Sequence, residues 1–322
     1  MTAELNATPI SRRRALALGG VLATGLIASS GPLGGVAAAD PLPPSKEAYL
    51  PIDEIQAALQ AQGTVSNGLL GINVGRTDLT ATVNGSIPFS PYWQNNGTFY
   101  FQALGGGKAI MNGDFGGLLP TEINPFIAEL LAHGIVFQAL HQHLLDVSPM
   151  LYFIHMRAVG DPVAIARGLN AAIRTTPTPL PQTLPSNPTT PLDAKAIGEL
   201  VGGTPTVSGG GVVVVNIPRR NQIVLDGVRV NPYLNIATPI AFLPLGSSGQ
   251  AAVVPDFSLV ESEIAGVMKL MQAQGWMVNC LYNQETDEHP QLYFSHQLKT
   301  GDSLQLAREV RRGLELNNSS FS

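Results

Sequence analysis

The sequence predicts an α+β protein made of two tandem, pseudo-symmetric repeats, each a mostly antiparallel sheet with a β-α-β-β-α core and helices on one face. Three observations carry that prediction. The chain of 322 residues aligns onto itself without a gap from Gly116 to Thr175 at a constant shift of 141 residues. Glu122-Ile123 meets Glu263-Ile264, Gly134 meets Gly275, and Leu151-Tyr152-Phe153-Ile154-His155 meets Leu292-Tyr293-Phe294-Ser295-His296. Both copies spell the same order of periodic segments. The strand after the first long helix is apolar on both faces, with Ile135, Phe137 and Ala139 on one and Val136 and Leu140 on the other. Helices are therefore expected over one side of each sheet and the sister repeat over the other.

The repeat extends upstream with shifts of 140 to 143. Pro51-Ile52-Asp53 matches Pro191-Leu192-Asp193, and Asn73 and Arg76 match Asn216 and Arg219. Two domains follow, 47–175 and 190–317, joined by a Pro- and Thr-rich stretch over 176–190 that reads as an extended linker. Each begins with a short amphipathic helix (52–62; 192–201), then an extended segment. A hairpin follows at Asn84-Gly85 or Asp226-Gly227, dipeptides that tolerate the positive φ angles of a tight turn. Strands over 99–104 and 108–112 are matched by 240–245 and 251–254. The next helix covers 122–133 and stops at Gly134, and its counterpart stops at Gly275. Ser258 to Glu261 reads as a capping box for that second helix. Paired strands over 135–144 and 150–157, and over 276–284 and 291–298, lead to a final helix capped by Asp161 or Asp302.

The first 39 residues read as a cleaved export leader. Ser11-Arg12-Arg13-Arg14 precedes an apolar run too short to span a bilayer, and Val36-Ala37-Ala38-Ala39 offers a small-residue cleavage site. The arginines after serine resemble the signal read by the Tat translocase; an ordinary Sec signal is the alternative. A soluble periplasmic or extracellular product is expected. No cysteine lies near the cleavage site to accept a lipid, and no later stretch is long and apolar enough for a stable membrane anchor. Without Arg12, Arg13, Arg14 and Glu4 of the leader, 15 basic and 22 acidic side chains leave a net charge of −7 with no basic run, which argues against nucleic acid and anionic lipid as partners. An unidentified small molecule or a cell-envelope partner remains. Cys280 is the single cysteine, so no internal disulfide forms, and its alternating apolar surroundings read as those of a buried, inert thiol.

The residues that suggest chemistry lie in the first repeat. His141 and His143 are two apart on a strand and so project from one face, and His155 lies on the following strand. Register decides whether it joins them; if it does, three imidazoles converge on one ion. Three neutral imidazoles with an open fourth position suit zinc, and imidazole suits copper as well, with iron behind both. Glu122 or Asp114 would complete or orient such a site. The second repeat has Tyr282 and Gln284 in place of the two histidines and keeps His296. It reads as degenerate at the site, with His296 serving packing. Glu122 and Glu263 each enter the first turn of a helix, where a carboxylate steadies the positive end of the dipole; Glu122 is also the general-base candidate. His133 and His289 read as solvated. There is no nucleophile elbow, cysteine pair or dinucleotide fingerprint.

Glu122-Ile123-Asn124-Pro125, Ala139-Leu140-His141-Gln142-His143-Leu144-Leu145, Ser148-Pro149, Phe153-Ile154-His155 and Gly160-Asp161-Pro162 together resemble the family of LppY/LpqO homologues. Arg76-Thr77-Asp78-Leu79 with Asn84-Gly85 is similar to its upstream part, so the resemblance covers nearly the whole mature chain. It implies a domain of unknown function found in exported bacterial proteins and supplies no activity. The family's mycobacterial namesakes are lipoproteins, and the chain departs from them in lacking the lipid-accepting cysteine. Three functions follow from the residues: an exported binder of zinc or copper through His141, His143 and His155; a metal-dependent hydrolase at the same site with Glu122 as base; or a non-catalytic envelope module using a groove between the repeats.

Overall fold

The computed structural model describes residues 49–246 and 248–322. The leader expected over 1–39 lies outside them. Within the described residues the two repeats follow the same order of helices and strands, the second adding one short 3-10 turn at Gly209–Gly211. The first runs α1 (Ile52–Leu59), β1 (Gly63–Ser66), β2 (Leu69–Gly75), β3 (Thr82–Val83), β4 (Ile87–Pro88), β5 (Asn96–Gly105), β6 (Lys108–Leu118), α2 (Ile123–Ala132), β7 (Val136–His141), β8 (Val147–Ser148), β9 (Tyr152–Gly160) and α3 (Pro162–Ile173). The second runs α4 (Ala194–Val201), β10 (Pro205–Val207), β11 (Val213–Ile217), β12 (Val224–Leu225), β13 (Val228–Arg229), β14 (Thr238–Pro244), β15 (Gln250–Leu259), α5 (Glu261–Ala273), β16 (Met277–Val278), β17 (Glu288–His289), β18 (Tyr293–Asp302) and α6 (Ser303–Leu314).

Each repeat forms one six-stranded antiparallel sheet, ordered β1-β2-β5-β6-β9-β7 and β10-β11-β14-β15-β18-β16. Alternation along the strands explains what covers each face. In β6, Ala109, Met111 and Phe115 point to the helices and join Phe126 and Leu130 of α2 and Leu169 of α3 in a core, whereas Ile110 points the other way. In β15, Ala251, Val253 and Phe257 likewise face the helices, and Ala252 and Val254 face the sister repeat.

The inner faces of the two sheets are joined by reciprocal arms. The hairpin arm of the first repeat, with Val83, Phe89 and Trp93, packs in one apolar cluster with Val212, Leu243, Ala252, Val254 and Leu298 of the second. The arm of the second repeat, with Leu225, Val230, Leu234 and Ile236, packs in another with Leu69 and Ile110 of the first. Polar bonds fix both arms: Trp93 Nε1–H donates to the Ala241 carbonyl at 3.3 Å, and Asn112 Nδ2–H to the Leu234 carbonyl at 3.1 Å. Each arm turns where the sequence placed a hairpin, with φ of 50° and 72° at Asn84-Gly85 and 53° and 72° at Asp226-Gly227.

Two local expectations are corrected. Ser258 lies inside β15 rather than at a helix start, and it is Glu263 Oε2 that accepts the Val260 N–H at 2.9 Å to close the first turn of α5. The strand expected over 276–284 is regular only at Met277–Val278 and touches the ladder again at the single bridge Tyr282↔Phe294. That irregularity carries Cys280, Tyr282 and Gln284 to the seam between the repeats. Among the described residues no helix is long and apolar enough to cross a membrane.

Candidate metal centre between the repeats

β7 and β9 pair antiparallel, with Ala139 opposite His155 and His141 opposite Phe153. Ala139 and His141 are two apart and so share a face, which places His155 on the same face as His141. β7 ends at His141, so His143 lies just beyond the ladder, yet its ring returns to the same place. One ligating nitrogen from each of His141, His143 and His155 lies within 4.8 Å of the others. The ring centroids of His141 stand 5.0 Å from those of both His143 and His155.

These rings are short of partners. Both nitrogens of His141, both of His155, and Nε2 of His143 are sealed from solvent with no hydrogen-bond partner among the described residues. His143 Nδ1 is the exception, 3.0 Å from Gln94 Oε1. An amide oxygen can only accept, so Nδ1 carries the proton and the lone pair of His143 lies on Nε2. An unsatisfied buried polar atom costs about 1–3 kcal/mol, so five together approach the roughly 5–15 kcal/mol of a whole domain's stability. A cation among them converts three of the five, one per ring, into bonds, because an imidazole lone pair is the donor such an ion needs. Burial, followed by mutual repulsion with neighbouring histidines, pushes His141 and His143 well below the usual imidazole range, and burial alone takes His155 down to about 3. Neutral rings with free lone pairs are the result.

The second repeat closes over the cluster. The Tyr282 ring stacks on His141 with centroids 3.7 Å apart, and His296 stacks on His143 at 3.8 Å. On the opposite side of His143 lies the Phe153 ring, tying the cluster to the apolar cluster of the first arm. Asp114 is the register partner of His155 in β6, and Asp256 is the partner of His296 in β15, so the same aspartate–histidine pairing occurs in both repeats. Burial raises Asp114 to about 7; it lifts Asp256 well above the usual range, with the charge of Asp114 adding to the effect. The following segment of the second repeat is anchored in the first: Glu285 accepts from Asn112 Nδ2–H at 2.6 Å and from Gln138 Nε2–H at 2.7 Å.

The expected site residues thus divide. His141, His143 and His155 come together, and Asp114 stands beside His155. Glu122 does not join them. Its two oxygens accept from Arg76 at 2.8 and 3.0 Å, and Oε2 also takes the Leu119 N–H at 2.8 Å. Glu263 repeats this with Arg219 and the Val260 N–H. His133 caps α2 in contact with Glu129, and His289 is exposed. Sequence reasoning missed His296, Tyr282, Cys280 and Asp256 as neighbours of the cluster. Their signal was the occurrence of both Asp114 with His155 and Asp256 with His296 at equivalent positions of sheets expected to pack face to face. A surface cavity of about 610 Å³ between α1 and the linker, lined by Gln56, Gln60, Gln62 and Gln182, touches none of these side chains.

The family profile described as Domain of Unknown Function (DUF1259) matches residues 53–175 and again 195–316. The chain belongs to this family. Its two DUF1259 stretches coincide with the two structural repeats, α1 through α3 and α4 through α6. No curated protein matches the sequence. Among solved structures, the crystal structure of a trimeric bacterial microcompartment shell protein, PduB, aligns over 81% of this chain and 96% of its own at 10% identity. Its TM-score is 0.18, a likeness that carries no argument about fold or role. The DUF1259 centre is therefore argued from its own residues.

Proposed function

We propose that this protein binds a transition metal, zinc or copper, through His141, His143 and His155, and that it does so outside the cytoplasm. The observation that carries this reading is the set of five sealed imidazole nitrogens without partners, four of them on His141 and His155. Nitrogen donors of this kind suit zinc and copper more than calcium or magnesium, which prefer oxygen. Gln94 acts as the outer support that fixes one ring's tautomer. The export half of the reading rests on the leader over 1–39, which resembles a twin-arginine signal, and on the resemblance of the motifs to the LppY/LpqO homologues. Domains over 47–175 and 190–317 joined by a linker over 176–190 belong to the same proposal.

Binding is favoured over hydrolysis. Glu122 holds Arg76 in a bidentate pair and is committed there, and the ligand nitrogens are closed to bulk water by Tyr282 and His296. The seam between the repeats is filled by two apolar clusters, so an envelope partner would meet its rim. The test is thermal denaturation before and after chelation. A ligand held only by the native state adds about 4 kcal/mol at a thousandfold excess over Kd. A clear drop in Tm on chelation, restored by zinc or copper, is expected. Identical melting curves for protein that carries no metal as purified would overturn the proposal.

A further inference from the structure

The second repeat holds a donor set that the three-histidine centre does not use. His296 in β18 and Asp256 in β15 are register partners, and Cys280 is held beside them by the Ser295 hydroxyl, which donates to the Cys280 carbonyl at 2.8 Å. Cys280 Sγ lies 3.3 Å from His296 Nδ1, and Asp256 Oδ1 lies 3.6 Å from the same nitrogen. A ring nitrogen offers one hydrogen or one lone pair, and the thiol has a second, long contact to the His143 carbonyl at 3.9 Å. Asp256 Oδ1 is sealed from solvent and has no hydrogen-bond partner among the described residues. Tyr282 reaches only the other carboxylate oxygen, at 3.4 Å.

We propose that Cys280, His296 and Asp256 form a second metal position, one that takes a thiolate-favouring ion such as zinc or cuprous copper. Each of the three groups then gives a lone pair to the ion, and the thiol proton, together with any proton on the Asp256 carboxyl, leaves to solvent. The sulfur–nitrogen spacing suits this. Zinc–sulfur and zinc–nitrogen bonds of about 2.3 and 2.0–2.1 Å at a tetrahedral angle place sulfur and nitrogen roughly 3.5 Å apart. The donor set belongs to the second repeat alone, because the position equivalent to Cys280 is Ala139 in the first, next to the otherwise matching His155 and Asp114. The duplication has kept the aspartate–histidine pair in both repeats and supplied two further imidazoles in one and a thiol in the other. Soft and nitrogen-rich sites side by side favour the same ions with different strengths. This position stands beside the three-histidine centre and does not require it.

Cobalt(II) titration of the purified chain separates the two. Cys280 is the only cysteine in the sequence, so any sulfur-to-cobalt charge-transfer band reports on it without a variant. The expected result is that band at saturating cobalt, retained in a His141→Ala/His143→Ala chain and lost in Cys280→Ser. Ligand-field bands without a sulfur band would overturn the second position and leave the three-histidine reading standing. A sulfur band that disappears in the double histidine variant would also overturn it, by making Cys280 a ligand of the first ion.

Discussion

Arg76 and Arg219 show how single residues hold this molecule. Each guanidinium is nearly sealed, with side-chain exposures of 1% and 2%, and each grips a glutamate and a strand carbonyl: Glu122 and Gly117 in one repeat, Glu263 and Ser258 in the other. Removing one partner strands a buried charge, so Arg76→Ala is expected to cost about 3–5 kcal/mol in denaturant unfolding, far more than an exposed pair such as Lys195 with Glu199. Burial raises Glu263, but hydrogen bonds from Arg219 and from the Val260 and Asn318 N–H groups outweigh it and hold the carboxyl below its usual 4.5. Its stabilisation is therefore present above 4.5 and lost as pH falls through the lower folded value. Glu263→Gln should flatten the acid limb of the stability curve between 4.5 and that lower value. An unchanged acid limb would show that the pair contributes nothing. In the sequence Glu122 and Glu263 read as dipole partners at helix starts. The arginine 46 or 44 residues earlier could not be seen as their partner, since local spacing carries no information about which buried charges meet.

At the scale of elements, what the sequence revealed and what it hid separate by range. Caps and turns are local chemistry and were readable: Asp161 Oδ1 accepts from the Ala164 N–H and Asp302 Oδ1 from the Gln305 N–H, both at 2.8 Å. Asp161→Ala and Asp302→Ala should each lose about 1 kcal/mol by thermal melting, with similar values because the two helices start alike. Ser258 misled because a Ser-x-x-Glu spacing is necessary for a capping box but does not exclude a strand, and the strand won through its ladder with β18. The irregular path through Cys280 and Tyr282 was hidden because alternation read as strand, whereas turning a half-buried tyrosine and thiol toward the histidines of the first repeat breaks the ladder. The convergence of His141, His143 and His155 was half visible. Spacing put the first two together, and only the register with Ala139 opposite His155 brought in the third.

For the whole molecule, the reciprocal arms bury apolar surface of each repeat against the other, which should make the two unfold as one body. Trp93 sits in the arm of the first repeat, and Trp276 packs on the helical core of the second. Chains keeping one tryptophan each should unfold with coincident fluorescence midpoints in urea; two separated transitions would mean that the repeats are independent. The packing of the repeats also explains why the second one is more than a scaffold. His296 and Tyr282 lie against the histidines of the first, contacts across 153 and 141 residues of sequence that only sheet-to-sheet assembly creates. The claim that this shared interior holds metal is tested most directly by elemental analysis of the protein, purified without an affinity tag, beside the His141→Ala/His143→Ala variant. Zinc or copper in near-stoichiometric amount in the first and strongly depleted in the second is the predicted result. Neither metal in the unaltered chain, or the same content in both, would contradict it.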